Sequence, residues 1–397
     1  MRDPFRTLAV AMLGSVMVMA SDQTQPGAGN GRAEEIGAGS ALVHSALEQL
    51  KRNVRGIKSG RLREATLDGL GNRMTCVVHR ANLAGGAKRQ IIQQLVREDL
   101  LNETGAAMAG VFPPVLDDGS ACPHVALSFE AAPGSDFGGH HSFPGGLAVH
   151  EMFNQESAIR LAAQYRRVYA GGISGAIDED VILAAPVWHD WGKMLVFQWN
   201  ADGTEFEELS FGGTGKNDKF GDVGDSRTGA HHIISLAEAM ARGLPPLLVI
   251  TQASAHAAPT LGNEFKVVNW LRAAAILARI DPVTKGYLAK DAAGKFELPA
   301  VKMKNVNATD FIEYQIDNLS DADFVNAIPA ARLADMLLQK VAPQFGYDPA
   351  IVAAYNNRFR NVVLSRLSAE GIELKYDNLG LEGLITEIKG LQRAKVI

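Results

Sequence analysis

The stretch Asp178-Glu-Asp-Val-Ile-Leu-Ala-Ala-Pro-Val-Trp-His189-Asp190-Trp-Gly-Lys193 decides how this chain is read. Its acidic residues come first, where the helix dipole favours negative charge, and the apolar run behind them predicts a helix from Asp178 to Trp191. That helix delivers His189 and Asp190 side by side near its C-terminal end. Working outward, side chains of the same chemistry recur: His150 upstream, then His232, His256 and Asp281 downstream. Neutral imidazoles and carboxylates with no thiolate suit manganese, iron or another divalent ion better than a structural zinc knot. The set is large enough for two ions sharing one carboxylate, a device that activates water against a phosphate ester.

The flanking segments are mostly helical in pattern. Gly138-Gly139-His140-His141-Ser-Phe-Pro-Gly-Gly-Leu147 reads as a loop entering the helix that carries His150. Helices are expected over His232–Arg242, Leu247–His256 and Asn263–Ile280, the last stopped by Asp281-Pro282. Between them, Met194–Phe211 alternates around Ala201-Asp202-Gly203 and predicts a β-hairpin. Gly212–Gly229 is a long Gly/Asp/Lys loop, a candidate lid or rim. Ala41–Arg55 and Ala87–Leu101 have helical spacing, and Met74–Val78 reads as a strand. Phe324–Ala342, Ile351–Ala369 and Leu381–Leu391 make the C-terminal part helical.

His189-Asp190-Trp-Gly-Lys193 resembles the signature of the HD-domain superfamily of metal-dependent phosphohydrolases. Gly145-Gly146-Leu-x-x-His150 is similar to the approach to the first ligand in that family, and His232-Ile-Ile-Ser-Leu-Ala-Glu-Ala-Met240 to the helix bearing a later one. Asp281 matches the family's distal aspartate at a helix end. The resemblance spans roughly residues 138 to 285. It implies that His150, His189 and Asp281 hold one ion, that His232 and His256 hold the second, and that Asp190 bridges them. It further implies that Lys193, three residues after Asp190, contacts a substrate phosphate or stabilises developing charge.

The chain departs from the family pattern in places. His231 and His232 are adjacent, and either fits as the ligand; the following Ala237-Glu238-x-Met240 favours His232. The insertion between Lys193 and His231 is long. A single histidine at 256, between Ala255 and Ala257, argues against a third ion there. His140 and His141 orient the metal ligands, line the pocket or are plain loop histidines.

The expected architecture is therefore mainly α: an HD-type helical bundle core at 136–285, an N-terminal accessory region at 40–135, a C-terminal helical region at 286–397 and a small β-hairpin insertion. The expected activity is hydrolysis of a phosphomonoester or phosphodiester, a nucleotide among the candidates, with Asp190 and Lys193 as catalytic residues. The same ligand order is also similar to HD-type mixed-valent diiron oxygenases, and a non-catalytic sensor of a phosphorylated ligand is a third reading.

Composition narrows the partners. A net charge of −5 over 397 residues excludes the basic excess of a sequence-independent nucleic-acid binder. The expected partner is a small phosphorylated substrate. Arg160, Arg166, Arg167, Lys216, Lys219 and Arg227 form local basic clusters for an anion, with Lys216, Lys219 and Arg227 as candidate rim residues. Gly212-Gly-Thr-Gly-Lys216 is not a phosphate loop, because Ser210 stands where a glycine is required and Asn217 replaces the hydroxyl residue.

Residues 1–20 have the three-part pattern of an export signal: Arg2 and Arg6, an apolar run from Thr7 to Met19, and Val18-Met19-Ala20 before the cut. Residues 21–39 then read as a flexible tether, the location as periplasmic, and no membrane span is expected after cleavage. In such a compartment Cys76 and Cys122, the chain's 2 cysteines, form a disulfide or stay as buried thiols.

Overall fold

Helical periodicity is realised through most of the chain. The computed structural model describes residues 27–101, 107–116, 118–171, 177–205, 208–211, 226–259, 262–302 and 307–397. The expected signal at 1–20, together with Lys216 and Lys219, lies outside the described residues.

The main helices are α1 Asn30–Ala38, α2 Ala41–Val54, α3 Gly60–Gly71 and α4 Gly85–Arg97, then α5 Gly146–Val168 and α6 Glu179–His189. They are followed by α7 Ala230–Ala241, α8 Pro246–Ala253 and α9 Glu264–Ala278. The C-terminal part contributes α10 Ile312–Asp321, α11 Asp323–Val341, α12 Asn361–Leu367 and α13 Ala369–Arg393. The fold is mainly α. Among the described residues its strands are three two-residue antiparallel pairs.

Several boundaries have visible causes. Asp178 caps α6, its carboxylate accepting the backbone N–H groups of Asp180 and Val181. Ser40 does the same for Val43 at the start of α2. Gly145 precedes α5 at φ +86°, and a Cβ there would stand 2.4 Å from a Val43 methyl. Gly146 is tighter still, since a Cβ would meet the His141 carbonyl oxygen at 1.8 Å. Only glycine lets the His140–His141 loop fold back on the start of α5.

The central packing is α5 against α2, α6 and α10, with α8 on α6 and α9 on α7. One apolar core runs from Ala33 in α1 through Trp188 and Leu271 to Ile388 in α13. It thus crosses the stretches 40–135, 136–285 and 286–397 alike. Cys76 and Cys122 are joined by a disulfide with a Cα separation of 5.5 Å. No helix among the described residues is long and apolar enough to cross a membrane.

Four expectations are corrected. Residues 30–38 do not belong to a flexible tether: they form α1, because Ala33 and Ile36 bury and Asn30 accepts the Trp199 backbone N–H at 3.0 Å. The hairpin over Met194–Phe211 reduces to a Trp199–Glu205 bridge around its turn, after a helical turn at Lys193–Val196. Ser210–Phe211 pairs instead with Thr228–Gly229. Met74–Val78 is not a strand; Cys76 makes one isolated bridge, to His124. The single helix expected at Ile351–Ala369 is interrupted by a π-turn at Asn356–Arg360 and ends at Ser368, φ 55°.

Candidate metal centre

Each element brings one edge of the site. α5 presents His150 from its second turn, and α6 ends on His189 with Asp190 at its C-cap. α7 begins Ala230-His231-His232, the turn after α8 carries His256, and α10 ends on Asp321. α10 is held in place by two partly buried hydrogen bonds: Glu313 accepts the Asp178 backbone N–H at 2.6 Å, and Asn318 donates to the Ala255 carbonyl at 2.7 Å.

His150 Nε2 stands 3.4 Å from Asp190 Oδ2 and 3.3 Å from Asp321 Oδ1. His189 Nε2 repeats both distances, 3.4 Å and 3.3 Å. The other oxygen of Asp190, Oδ1, faces His231 Nε2 at 3.1 Å and His256 Nε2 at 3.9 Å. Asp190 Oδ1, His189 Nε2 and His231 Nε2 are buried yet accept and donate no hydrogen bond. Lone pairs this close that do not bond one another aim at a common point. Donors about 2.0–2.2 Å from one ion lie roughly 3.0–3.5 Å apart, so most of these separations match edges of a coordination sphere. These buried His, Asp and Glu clusters can hold metal ions.

The opposite ring nitrogens orient the imidazoles. His189 Nδ1 lies 2.9 Å from the Pro186 carbonyl, a group left free at the end of α6. His231 Nδ1 is 2.8 Å from Glu208, and His256 Nδ1 is 3.1 Å from the Thr228 hydroxyl. A proton on each Nδ1 leaves Nε2 as a lone pair toward the cluster, the usual support of metal-binding histidines.

Electrostatics point the same way. Asp190 and Asp321 are both buried at helix C-termini, where the dipole disfavours a carboxylate. Burial raises both, but Lys193, His189 and His231 outweigh it at Asp190 and His189 and His150 at Asp321, holding both well below the usual carboxylate range. Burial likewise opposes charge on His150 and His231. Asp190 and Asp321 overcome it at His150, Glu208 and Asp190 at His231, and both rise to about 9. Glu151, pushed up by burial to about 8, faces His189 Nδ1 at 3.6 Å. Opposite charges buried together offset part of one another's desolvation.

Two of the expected ligands are placed elsewhere. Asp281 is on the surface, its Oδ1 accepting the backbone N–H groups of Val283 and Thr284 at 2.9 and 3.2 Å in the turn after α9. Asp321 stands in the cluster instead. His232 faces away from Asp190, because adjacent residues on a helix diverge by about 100°. Its Nε2 meets the Ala253 carbonyl at 3.2 Å and its ring stacks on His256 at 4.1 Å, so it buttresses a neighbour while His231 faces the cluster. His150, His189, Asp190 and His256 lie together as expected.

Lys193 is buried, its ammonium on Asp190 Oδ2 and the Gly134 carbonyl. A cavity of about 400 Å³ opens over the cluster, lined among others by His140, Lys193, Phe197, Lys266, Trp270 and Phe324. Arg227 is also on its wall. Asp321, Glu208 and Thr228 were outside the expected set. The one sequence signal for Asp321 is Asp317-x-x-x-Asp321, two acids on one helical face.

Comparison of the chain with protein-family models, with curated proteins and with solved structures returns no match in any of the three.

Proposed function

We propose that this protein is an exported, metal-dependent phosphohydrolase of the HD type, acting on a small phosphomonoester or phosphodiester. The observation that carries the reading is the split of Asp190. One oxygen faces His150 and His189 together with Asp321, and the other faces His231 and His256. That arrangement fits two ions with Asp190 between them, and its oxygen-and-nitrogen donor set suits manganese or iron. Such ions supply Lewis acidity toward phosphoryl oxygens and a nucleophilic water at neutral pH.

The protein's own groups do the rest. Lys193 keeps a positive charge at the cavity floor, where it offsets the carboxylates and meets a phosphate oxygen. Phe197, Trp270 and Phe324 give the organic part of the substrate an apolar wall, while Lys266 adds a cation to the lining.

The test is phosphate release by the manganese-loaded protein from mononucleotides, cyclic nucleotides and aryl phosphates, beside Asp190→Asn. Metal-dependent turnover lost in the variant supports the proposal, and turnover retained in a folded variant overturns it. Absence of turnover with ions bound, accompanied by oxygen uptake on an iron-loaded sample, would transfer the site to oxygenase chemistry.

A further inference from the structure

We propose that His140 and His141 form, together with His150, a further metal position made only of imidazole nitrogen and suited to zinc. It adjoins the proposed binuclear centre, shares His150 with it and rests on that reading for His150's other nitrogen.

Three observations carry this. First, His140 Nδ1 and His141 Nδ1 face one another at 3.3 Å, the spacing of two ligands on a tetrahedral ion with bonds of about 2.0–2.1 Å. Each of the three rings can offer a nitrogen so that all lie within 4.8 Å of one another. Second, His150 Nδ1 is buried and has no hydrogen-bond partner, although the other nitrogen of the ring is fully engaged. A metal-binding histidine normally gives this second nitrogen a carbonyl or carboxylate; here it has neither, and the rings of His140 and His141 lie with their centroids 4.8 and 5.2 Å from that of His150. Third, Glu370 Oε1, itself without a hydrogen bond, faces His141 Nε2 at 3.6 Å. A proton on that nitrogen leaves Nδ1 as the lone pair toward His140, with Glu370 at ion-pair distance where Glu208 hydrogen-bonds His231 at 2.8 Å.

The backbone is built for the pairing. His141 adopts φ 53°, in the left-handed region that is uncommon for residues other than glycine. Its carbonyl accepts N–H groups from Gly134 and Phe143, both at 2.9 Å. Arg360 then fastens the loop from outside, donating to the Ser142 carbonyl at 3.1 Å and the Ser142 hydroxyl at 3.2 Å.

A nitrogen-only set separates this position from the carboxylate-rich centre beside it, since imidazole suits zinc and carboxylate suits manganese. Shared through both nitrogens, His150 would be an imidazolate, with both ring protons lost to solvent.

Zinc bound per chain, counted by native mass spectrometry, tests the site in Asp190→Asn and in Asp190→Asn with His141→Asn. Asparagine is chosen because it tolerates the left-handed backbone at 141. His140→Gln serves as the second variant if His141→Asn melts early. The double variant is expected to hold one zinc fewer than Asp190→Asn, with loss of imidazole nitrogen in the zinc absorption edge. Equal counts in folded variants would overturn the further site while leaving the binuclear reading intact. Absence of any ion from the wild-type protein would overturn both.

Discussion

Asp321 Oδ1 stands 3.3 Å from His189 Nε2, joining the last residue of α10 to the last residue of α6. The contact makes α10 part of the centre, although this helix falls beyond the stretch that resembles the HD family. Asp321→Ala is therefore expected to weaken metal binding by more than about 100-fold, since even outer partners of ligands are worth roughly 10–100-fold. Asp281→Ala is expected to leave it unchanged. Titration with manganese, followed by calorimetry, separates the two.

The adjacent histidines of α7 are expected to differ in the same sense. His231 points Nε2 at Asp190, whereas His232 packs between the Ala253 carbonyl and the His256 ring. His231→Gln should remove one ion per chain. His232→Gln should cost about tenfold in affinity at most, through a looser His256, with the ion count preserved. An ion count that falls in His232→Gln and not in His231→Gln would reverse the assignment.

Metal binding is expected to release protons. In the ion-free fold His150 and His231 titrate at about 9, and His189 lies well above its usual value, with burial opposing and Asp190 among the groups that outweigh it at each. At pH 7 these rings carry protons that an ion must displace. Affinity therefore falls as pH drops below about 9. Calorimetry in buffers of different ionisation enthalpy should register about two or three protons leaving per chain at pH 7. A binding enthalpy independent of buffer would contradict this.

Glu205 offers a prediction on stability away from the centre. Both its carboxylate oxygens are buried without a partner, and burial lifts it from 4.5 to about 8. The folded state thus keeps a proton that the unfolded chain gives up above pH 4.5, so stability falls as pH rises toward 8 and is constant beyond. Glu205→Gln removes that dependence. Its unfolding free energy should match wild type near pH 5 and exceed it near pH 8, by an amount on the order of 1 kcal/mol or more. A gain that is the same at both pH values would show the carboxyl is paired.

The legible part of the centre was the part that lies on strongly periodic helices. His150, His189 and Asp190 follow from a glycine-rich entry to α5 and an acid-capped α6, both local features. His231 and His232 could not be told apart locally, because the phase of α7 depends on packing against α9 and on Glu208 reaching His231. Asp281 had the right neighbours, an apolar helix and a proline stop, but its carboxylate is consumed by the turn it helps to make. Asp321 was hidden because α10 is short and polar in sequence. Its burial comes from α5, α6 and α8, contacts that no local pattern reports. The hairpin failed for a related reason: the alternation after Lys193 serves a buried Phe197 and Trp199, and the backbone partner of Ser210–Phe211 arrives from Thr228–Gly229.

The claim that Asp190 lies between two ions is tested most directly by manganese per chain in the wild-type protein and in Asp190→Asn, measured by elemental analysis after gel filtration. The account predicts two in the wild type and at most one in the variant, with both proteins folded. An Asp190→Asn protein that holds as much manganese as the wild type would contradict it.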